Sequence, residues 1–238
     1  MKHEFFQIWV FLAQSPLLWL TLTVLAYLGA LWLYRRSGLN PLVNPVLISV
    51  ALIVTVLLLT RTPYPQYFDG AKFVHFLIGP ATVALAIPLY NQWERLKRMG
   101  PAIGIALLAG STTAIVSAVG IAWLLGATPE TLRSLAPKSA TMPIAMGVAE
   151  RIGGLPSLAA VAVAVTGIAG AIMARALFNV LGVKDLSVRG FAVGITSHAI
   201  GTARALQVHE QAGAFAALAM ALNGIATALL VPLLLALL

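Results

Sequence analysis

Three runs without a charged side chain, residues 37–60, 99–129 and 211–238, constrain this chain more than anything else in it. Each is at least as long as the ~20 residues a helix needs to cross the hydrocarbon of a bilayer. There, every backbone amide and carbonyl must find a partner inside the protein, and runs of this length satisfy that rule as helices. The remainder of the chain agrees. Of its 238 residues, 60% are hydrophobic and 9% charged, against roughly 25% charged in a soluble domain. The sequence predicts an all-α integral membrane protein, a polytopic helical bundle set in the lipid bilayer. The net charge of +8 comes mostly from Lys and Arg in short connections, where cytoplasmic loops collect them. No basic stripe remains to hold nucleic acid. The chain has no cysteine, which excludes thiolate metal sites and thiol catalysis.

Charged loops and Pro/Gly breaks divide the chain into about eight segments: 16–34, 41–60, 72–91, 100–126, 137–150, 155–178, 187–208 and 212–238. Segment 137–150, PKSATMPIAMGVAE, is too short and too polar to cross alone. It reads as a broken or re-entrant piece buried in protein. Residues 1–15 read as an N-terminal interfacial segment, helical over 5–14 with Trp9 at headgroup level. A single transmembrane domain over 16–238 follows.

Weak internal similarity suggests duplication within that domain. RRSGL at 35–39 recurs as RIGGL at 151–155, and GPATVALAIPL at 79–89 lies against SHAIGTARALQ at 197–207, offsets of 116 and 118. The halves would be 16–126 and 137–238. Loop charge differs in sign between matching connections: WERLKRM at 93–99 is basic, whereas its counterpart QVHEQAG has no Lys or Arg. Opposite bias of this kind predicts an inverted repeat with broken or re-entrant helices, although a parallel repeat of eight helices fits the same spacing.

Three polar clusters interrupt the apolar segments. In LAPKSATMPIAMG, Pro137 and Pro143 lack backbone donors, and Lys138, Ser139 and Thr141 lie between or beside these breaks. In TSHAIGTARAL, Ser197, His198, Thr202 and Arg204 are interspersed with glycine, and a continuous helix would place Ser197, Gly201 and Arg204 on one face. In IGPATVALAIPLYN, Pro80 and Pro88 frame Thr82. Upstream, Asn44 of the Asn44-Pro45 pair is a candidate polar ligand. Each has a plainer reading: Lys138 snorkelling from a helix end, Arg204 interfacial, His198 bonded to a neighbouring carbonyl, Thr82 in a kinked packing helix, and Asn44 starting a turn.

The seven acids, Glu4, Asp69, Glu94, Glu130, Glu150, Asp185 and Glu210, all sit in or beside loops. The deeper ionisable residues, Lys138, His198 and Arg204, are cationic or can become so. Fixed positive charge beside free amides and hydroxyls favours a small anion, and a guanidinium can grip a carboxylate with two hydrogen bonds. If protons are coupled, His198 is the carrier. No metal or cofactor is expected, and no hydrolase, metalloprotease or phosphate-loop motif points to an enzyme.

The motifs NPLVNPVLI, GPATVALAIPLY, PKSATMPIAM and RGFAVGITSHAIGTARA together resemble the LrgB/CidB family of bacterial membrane proteins, from about Ser15 to the C-terminus. The resemblance implies one of two activities. One is transport of small monocarboxylates such as pyruvate or glycolate, as in the related plastidal glycolate/glycerate translocator. The other is an antiholin-like role that modulates murein hydrolase activity and autolysis without transport. It also implies a multi-pass location in the bacterial cytoplasmic (inner) membrane and a holin-like LrgA/CidA partner, with a homo-oligomer left open. Lys138, Ser139, Thr141, His198, Thr202 and Arg204 then become candidates to line the substrate path, with Ser197, Thr82 and Asn44 beside them.

Overall fold

The computed structural model describes residues 15–235, so the expected interfacial helix with Trp9 lies outside the described residues. Every regular element among them is a helix, and five stretches are long and apolar enough to cross a membrane: Pro16–Arg36, Tyr64–Asn91, Gly100–Leu124, Pro156–Val180 and Glu210–Leu235. This is a polytopic helical membrane protein. The chain forms two compact units, Met1–Ala84 and Leu85–Leu238.

The first unit packs α1 (Pro16–Arg36) against α2 (Pro45–Thr60) and α3 (Tyr64–Phe76). Trp19 is fully buried and meets Tyr67 edge-to-face, while the Thr23 hydroxyl donates to the Trp19 carbonyl. Gly70 permits this approach, since a Cβ there would overlap the backbone of α1 at Pro16 and Leu20. A short α4 (Ile78–Ala84) follows α3. The breaks after Phe76 and Ala84 have one cause. Pro80 and Pro88 carry no N–H for the carbonyls four residues behind them, at Phe76 and Ala84.

The second unit begins with α5 (Ala86–Asn91) and α6 (Trp93–Arg98), then alternates long helices with folded-back ones. The long helices are α7 (Gly100–Leu124), α10 (Pro156–Val180) and α12 (Glu210–Leu235). Helices α7 and α12 run in the same direction: Ile103 and Leu107 pack on the Phe215–Ala219 cluster, Ser111 bonds Asn223, and Ile115 and Val119 cluster with Val231. Between α7 and α10, the chain forms α8 (Pro129–Leu135), a turn over 136–141, and α9 (Met142–Arg151). Ile144 lies near Gly224 and Val148 clusters with Val231, so α9 runs alongside α12. The turn therefore points inward from the face where α7 and α12 end, the re-entrant geometry expected of 137–150.

Helix α11 (Leu186–Val208) is also a hairpin. His198 has φ 38 and ψ −132, outside helical geometry. Beyond it the chain doubles back, which brings Gly201 against Val193, eight residues away in sequence and roughly 12 Å away on a straight helix. The first arm runs with α12, with Gly190 against the Ala212 carbonyl and Gly194 against that of Ala216; any Cβ at either glycine would overlap backbone. The second arm runs with α10, pairing His198 with Val163 and Arg204 with Ala171. This tip enters from the face where α12 begins, opposite to the first.

The reversal removes the single face expected for Ser197, Gly201 and Arg204, because those residues lie on two arms of a hairpin. It also changes the repeat. At offsets of 116–118, α7 corresponds to α12, and those two helices run the same way. The inverted pairing visible in this unit relates α7 and its hairpin to α10 and its hairpin. Leu125-Gly126 and Leu181-Gly182, 56 residues apart, close the two long helices, and both glycines have positive φ, 78 and 67.

Candidate functional site at the two hairpin tips

The two re-entrant turns meet inside the second unit, and the residue that joins them was not singled out by sequence. Asn223, on α12, is 1% exposed. Its Nδ2 donates to the Ser139 carbonyl at 2.9 Å and to the Ile195 carbonyl at 3.1 Å. Its Oδ1 accepts from the Ser111 hydroxyl on α7 at 2.6 Å. One amide thus connects the first turn, the second hairpin and two crossing helices. A signal was present: apart from Thr227, Asn223 is the only side chain in 212–238 able to hydrogen bond.

Beside this junction lies a cavity of about 630 Å³. It runs from Met99, Ser187 and Val188, near the starts of α7 and α11, to Lys138 and Ser139 on the first turn. Its walls are mainly Ala, Ile and Phe191 and Phe215, with the hydroxyls of Thr113, Ser117, Thr166 and Thr196 among them. Among the described residues, Lys138 is the only charged side chain lining it. It is half-buried, and its Nζ lies 3.4 Å from the Ser139 hydroxyl. The ion pairs among the described residues, Lys72–Asp69, Arg95–Asp185 and Lys97–Glu94, do not include it. A lone ammonium in an apolar vestibule attracts an anion, because transfer from water costs a charge less when a fixed opposite charge receives it.

His198 occupies the second tip, buried, with Nε2 3.0 Å from the Val163 carbonyl. A carbonyl only accepts, so the neutral ring carries its proton on Nε2. Gly167 makes room for the imidazole and Gly170 for the Ser197 hydroxyl. Thr202 donates to the His198 carbonyl at 2.7 Å, and Arg204 donates to the Ala171 carbonyl. Ser197, His198, Thr202 and Arg204 thus gather on the α10 side of the second hairpin, while Lys138 and Ser139 line the cavity. Thr141 is the N-cap residue of α9 and partly buried.

The two remaining candidates belong to the first unit. Asn44 caps α2, its Oδ1 accepting from the amides of Val46 at 2.9 Å and Leu47 at 3.2 Å. Thr82 lies within α4, and its side chain is outside the described residues.

The chain is similar to known proteins along most of its length. The uncharacterized protein YxaC of Bacillus subtilis is 38% identical over 202 residues, covering 84% of this chain and 87% of that protein. The holin-like protein CidB of Staphylococcus epidermidis is 31% identical over 195 residues, covering 82% and 85%. The antiholin-like protein LrgB of Bacillus mycoides is 28% identical over 219 residues, covering 92% and 95%. No solved structure matches. The model of the LrgB-like family matches residues 23–237, and the chain belongs to that family.

Proposed function

We propose that this protein carries small monocarboxylate anions across the bacterial cytoplasmic membrane, with Lys138 receiving the carboxylate and the Ser139 hydroxyl bonding it. The observation that carries this reading is the cavity of about 630 Å³ whose single charged lining residue, among the described residues, is a lysine with no acidic partner among them. One cation matches one carboxylate, and the apolar walls suit a short carbon chain better than a second charge. Many secondary transporters build their sites from interrupted helices of inverted repeats that meet near the midplane, where irregular backbone is tolerated because it lines a cavity. His198 would pass or hold a proton, and Arg204 would brace the second hairpin through its bond to α10.

Orientation follows from charge. The face bearing Arg95, Lys97, Arg98, Lys184 and Arg189 would be cytoplasmic, against one bearing Arg133 and Arg151, and the cavity would open toward the cytoplasm. The single transmembrane domain over 16–238 would then act as one carrier, alone or as a homo-oligomer. Purified protein in liposomes should take up labelled pyruvate or glycolate, Lys138→Gln should abolish uptake, and Lys138→Arg should retain part of it. Full uptake by Lys138→Gln at normal protein level would remove this site.

The names of the CidB and LrgB relatives favour a second reading, in which the chain gates a holin-like LrgA/CidA partner and so modulates murein hydrolases without moving a solute. Liposomes without that partner decide between the two. Uptake by the chain alone supports transport, and its absence unless the partner is added supports gating.

A further inference from the structure

We infer that Asn223 is the positioning residue of the Lys138 site: its amide holds the Lys138–Ser139 turn against the second hairpin so that the lysine faces the cavity. The inference deepens the transport reading and rests on it for its consequence in uptake. Three facts lead to it. First, the Ser139 carbonyl belongs to the residue after Lys138, and it is 2.9 Å from Asn223 Nδ2. A fixed carbonyl there holds the Ser139–Ala140 peptide, one residue beyond the lysine, and so restrains the turn from which its side chain leaves. Second, the other Nδ2 hydrogen goes to the Ile195 carbonyl at 3.1 Å. With His198 out of helical geometry, that carbonyl lies at the break between the two arms, where Asn223 gives it a donor from another helix. Third, the Ser111 hydroxyl, 2.6 Å from Oδ1, fixes which end of the amide faces the two carbonyls. Asn223, Ser111, Ser139 and Ile195 are all buried, which strengthens these hydrogen bonds.

Only an amide fits this position. A carboxylate would set its lone pairs against two carbonyl oxygens, and an alkyl group would leave both carbonyls and the Ser111 hydroxyl without a partner. The role is positional, because Asn223 does not line the cavity.

The test uses the absence of native cysteine. Thr113→Cys places a single thiol on the cavity wall. Its modification rates by an anionic and a cationic methanethiosulfonate of similar size give a ratio that reports positive potential in the cavity. Lys138→Gln should lower the anionic-to-cationic ratio several-fold. Asn223→Leu should lower it toward the Lys138→Gln value and raise the KM for uptake more than it reduces the maximal rate. Ser111→Ala, a smaller change, should lower the ratio in the same direction, and it decides the matter if Asn223→Leu does not fold. A ratio unchanged in Ser111→Ala and, where it folds, in Asn223→Leu overturns the inference. If the ratio falls as expected while the unmodified chain shows no uptake, the positioning role stands and the transport reading fails.

Discussion

Substitution of His198 separates what its backbone does from what its ring does. The residue sits at φ 38, a conformation that glycine reaches freely and an L side chain does not. Holding a non-glycine residue in such a region costs about 1–3 kcal/mol. The ring returns part of this through burial and its bond to the Val163 carbonyl, about 0.5–1.5 kcal/mol for the hydrogen bond. His198→Ala loses the ring and keeps the strain. His198→Gly loses the ring and releases it. The glycine variant should therefore be the more stable of the two by about 1–3 kcal/mol, which at this chain length is a difference of roughly 2–12 °C in Tm. In an ordinary helix interior the order is reversed, with glycine about 0.5–1 kcal/mol worse than alanine. Thermal unfolding of the detergent-purified variants by far-UV circular dichroism reads the sign. If His198→Ala melts at or above His198→Gly, residue 198 is helical in the protein and the hairpin is absent. Uptake adds the second half: the glycine variant, though well folded, should lose any proton-dependent component of transport.

Other expectations follow from the same geometry. Gly170→Ala should destabilise by about 1–3 kcal/mol, because its methyl would overlap the Ser197 hydroxyl, measured as a lowered Tm. Asn44→Ala should cost about 0.5–2 kcal/mol through loss of the α2 cap while leaving the KM for uptake unchanged, a KM shift implying a role beyond capping. Burial opposes ionisation of Asp185, but the amides of Ser187 and Val188 and the Arg95 guanidinium outweigh it and hold the carboxyl below its usual value. A depressed folded pKa gives stability that is complete above the unfolded value, near pH ~4, and lost as pH falls through the lower folded one. Asp185→Asn should accordingly lower Tm at neutral pH, with the gap to the parent protein closing below about pH 4.

Membrane class, apolar spans and a re-entrant 137–150 were legible because each rests on local composition. A run without charge has one inexpensive fate in lipid, and a polar run with two prolines has few others. The tip residues Lys138, Ser139, Ser197 and His198 were legible for the same reason, as polarity in an apolar setting. What the cluster at 196–206 concealed was its direction. A reversal between two helical arms normally announces itself with glycine or proline at the turn, whereas here the turn residue is histidine. The glycines that make the hairpin possible are elsewhere, at Gly194, Gly201, Gly167 and Gly170, where the arms and α10 come close. Read along one strand of sequence, they look like small residues of an ordinary packing helix.

That displacement of the signal bears on the repeat as well. Matching by letters favours long helices with common small residues, and so pairs α7 with α12. Matching by function favours the order of long helix, Leu-Gly turn, capped short helix, serine-bearing tip and return arm, which occurs twice at a shift near 56. The second order relates helices running in opposite directions, the relation that would let a site between two tips face each side of a membrane in turn. In the conformation described, the cavity reaches Ser187 and Val188, beside the first arm of the α11 hairpin. The related approach on the other face would run beside α8, the corresponding arm of the first hairpin. Asn223 has no counterpart in this scheme, since α12 follows both repeats. It lies on the helix outside the duplication, which is where a residue must lie if it is to hold both tips at once.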